Sequence, residues 1–77
     1  MTVWVVRYDH PDYSQGVECV RSTYETAVQT VRDAFTDEGY TEDDYDIAGD
    51  ELFTTVEGLD DADGIYYFIS RHEVDAP

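Results

Sequence analysis

The chain has 77 residues, with 19 Asp and Glu set against four Arg, no Lys, and a formal net charge of −15. That length fits one small domain, and an aromatic content of 14% within a hydrophobic fraction of 42% excludes the disorder such a charge would otherwise signal. A surface this acidic is repelled by nucleic acid backbones and by anionic lipid, so neither DNA or RNA nor a membrane is an expected partner.

Residues 2–8 are almost all β-branched or aromatic and predict a strand. Val3 and Val5 fall on one of its faces and Trp4, Val6 and Tyr8 on the other, so this strand belongs inside a sheet. A polar turn follows over 9–16. A second strand over 17–21, with Val17 and Cys19 on one face and Val20 on the other, should close an antiparallel hairpin. Ser22 then opens a helix, because Ser22-Thr-Tyr-Glu25 matches the capping box. Tyr24, Val28, Val31 and Phe35, with Ala27 and Ala34 beside them, recur at helical spacing as one apolar stripe. Gly39 stands where a left-handed C-terminal cap belongs, which gives a helix over 24–38.

Residues 40–50 read as an acidic loop in which Thr41-Glu-Asp-Asp44 can cap a short turn. A third strand over 51–57 turns Leu52 and Val56 to the core. After a turn at 59–64, a fourth strand over 65–71 is again apolar on both faces, and the tail 72–77 is expected to fray. The fold class is therefore α+β, a single domain over 1–77 with the order β-β-α-β-β, in which one helix covers one face of a four-stranded antiparallel sheet.

One helix leaves one face bare. By alternation, Trp4, Val6, Tyr66 and Phe68 oppose their neighbours Val3, Val5, Tyr67 and Ile69, and these four are the candidate interface of a homodimer that packs sheet on sheet or edge on edge. The alternative cover is the 40–50 segment, folded over the bare face by Tyr40, Tyr45 and Ile47. A core this thin is marginal on its own, which favours pairing with a second copy.

The stretch Val3-Trp-Val-Val-Arg-Tyr-Asp-His10, then Val20-Arg-Ser-Thr-Tyr-Glu-Thr-Ala27, Gly39-Tyr40 and Tyr45-Asp-Ile47, resembles small uncharacterised proteins of phages and prokaryotic genomes. The resemblance implies a fold and no activity. Composition carries a second resemblance: no Lys, abundant acids, and Val and Thr far outnumbering Leu and Ile are similar to cytoplasmic proteins of salt-in haloarchaea, their viruses and plasmids. The physics agrees. Nineteen carboxylates spread over the surface of an 8.8 kDa chain lie roughly 16 Å apart. The Debye length is about 10 Å at 0.1 M salt and about 3 Å at 1 M, so molar salt nearly abolishes their repulsion.

Little points to chemistry. His10 and His72 lie just past strand ends, where with Asp9, Asp12 or Glu73 they would form a metal site only if the two ends met; otherwise they are exposed loop residues. Neither acidic turn is an EF-hand: with Gly64 at the sixth position Leu59 and Ser70 occupy ligand positions, and with Gly49 there Ala48 and Thr55 do. Cys19, mid-strand beside Val17, reads as a small hydrophobe, and one cysteine forms no internal disulfide. Ser22 is explained as a cap. No Gly-rich phosphate loop, signal peptide or bilayer-length apolar run is present. The expected protein is cytoplasmic and non-enzymatic, without cofactor or metal.

The acids are distributed unevenly. Residues 33–70 hold 13 of them and no Arg, while residues 1–32 hold four acids and three Arg. Two readings follow: a salt-adapted accessory protein that self-associates with its N-terminal hairpin, in the near-neutral half, at the interface, or an acidic inhibitor or nucleic-acid mimic that binds a basic protein through residues 33–63.

Overall fold

A computed structural model describes residues 1–75. Five strands, β1 (Thr2–His10), β2 (Ser14–Arg21), β3 (Tyr45–Gly49), β4 (Phe53–Gly58) and β5 (Tyr66–Glu73), form one sheet in the order β2-β1-β5-β4-β3. Every pairing is antiparallel. A single helix, α1 (Tyr24–Asp37), lies across one face. The fold class is α+β as expected, with five strands rather than four. The added strand is β3, inside the segment read as a loop.

β3 forms because Tyr45 and Ile47 alternate with acids, so one side of a short edge strand is apolar. Both point towards the helix, where Tyr45 is buried and stacks on Phe35 with ring centroids 4.5 Å apart. Tyr40 packs against the same core. The 40–50 segment therefore completes the helix side of the sheet and does not cover the other side. A 3₁₀ turn, Glu42–Asp44, leads into it, and the Asp44 carboxylate accepts the Thr41 backbone N–H at 2.9 Å.

The helix follows its stripe: Ala27, Val31 and Phe35 are fully buried, with Tyr24, Val28 and Ala34 flanking them. Its N-cap is Thr23 rather than Ser22. The Thr23 hydroxyl accepts the Thr26 N–H at 3.2 Å, so the box beginning at Ser22 does not form. At the other end Gly39 takes a φ of +91°, its N–H donates to the Thr36 carbonyl, and the Tyr40 N–H donates to that of Phe35. This pattern is the Schellman motif, completed by Tyr40 packing edge-on to Phe35.

Two local features reset the expected faces. A β-bulge places Glu18 as an extra residue in β2, so that Val6 pairs with Cys19 but Arg7 pairs with Val17. Val17 and Val20 consequently share the face away from the helix, and Cys19 turns towards it. Leu52 precedes β4 in a turn held by the Asp50 carboxylate and is 59% exposed, leaving Thr54 and Val56 as the buried side chains of β4. Gly58 is required where the 3₁₀ turn Asp60–Ala62 folds back, because a Cβ there would collide with the Ala62 carbonyl.

The last strand and the residue after it are tied down as far as Val74. His72 and Glu73 belong to β5, the Val74 N–H donates to the Met1 carbonyl at 2.7 Å, and the Thr2 hydroxyl donates to Glu73 at 2.7 Å. That hydrogen bond, with the chain amino group and Arg71 nearby, holds the Glu73 carboxyl below its ordinary range. Residues 76–77 of the expected frayed tail lie outside the described residues.

Candidate interaction face

Strand register sorts the bare face into rows. One end carries Asp9, Tyr66, Glu57 and Asp46 side by side across β1, β5, β4 and β3. The next row holds Val17, Arg7, Phe68, Thr55 and Ala48, and the one beyond it Val20, Val5, Ser70 and Phe53. Val3 beside His72 closes the far end. Three acids thus border a field whose interior contains Arg7, His72 and otherwise neutral residues. Val17, Val20 and Phe53 are 60%, 54% and 49% exposed, apolar side chains gathered on one face of a strongly acidic chain. Phe68 lies between Tyr66 and Phe53, with ring centroids 6.3 and 6.4 Å away, so the aromatic groups run as a ladder along the face.

The four candidate interface residues divide between the two faces. Val6 pairs with Ile69, and both are fully buried under the helix. Trp4 shares that side, where its indole N–H donates to the Glu51 carbonyl at 2.7 Å. Tyr66 and Phe68 lie on the bare face with Val3 and Val5. Alternation within each strand is as expected, but the phase in which β1 meets β5 puts Trp4 and Val6 with Tyr67 and Ile69, so Trp4 and Val6 do not belong to the candidate face. The residues that replace them, Val5, Val17, Val20 and Phe53, are the ones the bulge and the register expose.

Arg7 is fixed within the apolar field. Its guanidinium donates to the Ser70 hydroxyl at 3.2 Å, and that hydroxyl is also hydrogen-bonded to His72 Nε2 at 2.9 Å. Ser70 is only 8% exposed, so the bonds also satisfy a polar group among apolar neighbours.

The two histidines do not meet. β1 and β5 are adjacent, yet their antiparallel register pairs His72 with Val3, seven residues from His10 or roughly 23 Å along the strand. They also lie on opposite faces. His10 is 5% exposed; its Nδ1 accepts the Asp12 N–H at 3.0 Å, so the ring proton sits on Nε2 and is donated to the Glu38 carboxylate at 3.2 Å. Far from being a loop residue in solvent, His10 joins the hairpin to the end of the helix. Among the described residues no group of three or more His, Cys, Asp or Glu is placed to hold a metal ion, and no helix is long and apolar enough to cross a membrane. Cys19 is a half-buried free thiol on the helix side.

Compared with protein-family models, with curated proteins and with solved structures, the chain matches none.

Proposed function

We propose that this chain is a small non-enzymatic, salt-adapted accessory protein of the cytoplasm that works as an interaction module, and that the occupant of its bare sheet face is a second copy. The observation that carries the reading is the apolar field of Val5, Val17, Val20, Phe53 and Phe68 on the side that none of the described elements covers. Charge selects the face. Two chains of −15 repel one another over most orientations, and this surface joins a large apolar area to a fixed cation, Arg7, with its acids confined to one border. A twofold pairing of sheet on sheet keeps those acidic borders at the rim, in solvent and salt.

Pairing by edges is less suited. The free edge of β2 is broken by the bulge at Glu18, and the other edge, β3, is five residues long and carries Asp46. Charges and bulges of this kind protect edges from pairing.

Sedimentation equilibrium in molar KCl is the test. The chain is expected as a dimer, and the double substitution Phe53→Ser with Phe68→Ser as a folded monomer. A wild-type monomer at millimolar protein would overturn the reading. Salt adaptation has its own check: the thermal midpoint should rise from dilute buffer to molar KCl as carboxylate repulsion is screened, and a midpoint indifferent to KCl would remove its physical basis.

A further inference from the structure

On the helix-covered side, where the β1–β2 hairpin meets the end of α1, the surface folds into a concavity of about 290 Å³. Tyr8, Tyr13 and Tyr67 line it together with His10, Glu18 and Glu38. Tyr67 is 6% exposed, yet its hydroxyl makes no hydrogen bond among the described residues and is not sealed away, so it opens into this space. Burial pushes the Tyr67 phenol up to about 12, with Glu18 and then Glu38 adding to the shift, which keeps it a neutral O–H facing two carboxylates.

Among the described residues no Arg forms an ion pair with Glu18 or Glu38: Arg32 pairs with Glu42 and Arg71 with Glu51 and Glu73, Arg7 donates to Ser70 on the other face, and Arg21, which borders an adjoining concavity with Glu18, donates to Thr30. The chain amino group is bonded to the Val74 carbonyl at the opposite end of β1. The last turn of α1 has no basic residue, so the negative end of the helix dipole adds to Asp37 and Glu38. Glu38 is also held in place, since the buried His10 donates to it. Tyr13 packs on His10 with centroids 4.3 Å apart and the rings tilted by 32°, and forms one wall.

We propose that this concavity binds a primary alkylammonium group, with Glu18 and Glu38 as countercharge, the Tyr67 hydroxyl accepting one N–H, and the faces of Tyr8 and Tyr13 packing on its carbon stem. Aromatic faces beside carboxylates suit an organic cation. A bare divalent ion suits them poorly, because no chelating group of three converges. The chain contains no lysine, so the ligand comes from elsewhere: a free amine or a lysine side chain of another protein.

The site is tested by following backbone amide NMR shifts in molar KCl while n-butylammonium chloride, or the peptide acetyl-Ala-Lys-Ala-amide, replaces KCl at constant ionic strength. Saturating shifts around residues 8, 13, 38 and 67 are expected. Equal affinity for the two probes identifies a free-amine site, and tighter binding of the peptide identifies a lysine-docking site; either supports the proposal. Tyr67→Phe and Glu18→Gln should each weaken binding about tenfold. Asp46→Asn, remote on β3, should leave it unchanged. Glu18 is exposed, so its variant separates loss of binding from loss of fold. Non-saturating shifts with both probes, or wild-type affinity in both variants, would overturn the assignment.

Discussion

Val5 and Val6 are neighbours on β1 with identical side chains, yet Val6 is fully buried beneath α1 while Val5 lies on the face that no described part of the chain covers. The two sheet faces differ less in apolar content than in what meets them. On the helix side, apolar rows are closed by Val31 and Phe35, by Tyr45 from the edge strand, and by paired polar groups such as Thr54 with the Tyr24 hydroxyl at 2.8 Å. On the other side, rows of similar width end in solvent. Apolar residues on both sides of a strand thus predict that both sides are to be covered, and say nothing of whether the cover belongs to the same chain.

The largest expected effect that would sharpen this contrast is at Phe35. Its ring touches Tyr40, Tyr45 and Tyr67 with no exposure, and Phe35→Ala should cost about 3–5 kcal/mol in denaturant unfolding. Next comes the neighbouring pair itself. Val6→Ala should destabilise by about 2 kcal/mol, and Val5→Ala by less than about 1 kcal/mol while weakening self-association. Equal destabilisation by the two would erase the distinction between the faces. At the start of the helix, Thr23→Ala should cost about 1 kcal/mol and Ser22→Ala less than about 0.5 kcal/mol, measured by thermal melting.

The smallest effect is a pH slope. The Tyr67 phenol is raised in the folded chain, so its contribution to stability is complete below the ordinary phenol value near 10 and is lost as pH rises towards about 12. Unfolding free energy should therefore fall over that window, and the part of the fall due to this residue should vanish in Tyr67→Phe.

Local signals in the sequence carry the local structure. The stripe from Tyr24 to Phe35 and the glycine after it specify the helix and its Schellman end, because both depend on spacings within a few residues. What the sequence leaves open depends on distant partners. Ser22 and Thr23 are adjacent hydroxyls, either of which can cap, and one residue of backbone geometry decides between them. β3 offers only Tyr45 and Ile47 as apolar positions among acids, and becomes a strand because β4 is there to pair with it. The bulge at Glu18 has no signature in a run of alternating residues, yet it moves Val17 to the bare face. The register of β1 on β5, fixed over more than sixty intervening residues, places Trp4 and Val6 away from Tyr66 and Phe68. The concavity around Tyr67 has no motif for the same reason, being assembled from the hairpin, the helix end and the last strand.

The central claim, that the bare face receives a second copy, is tested most directly by methyl NMR of the valines on dilution in molar KCl. The account predicts concentration-dependent shifts at Val5, Val17 and Val20, with Val6, Val31 and Val56 unmoved. Shifts at the buried valines instead, or no change at any valine across the dilution, would contradict it.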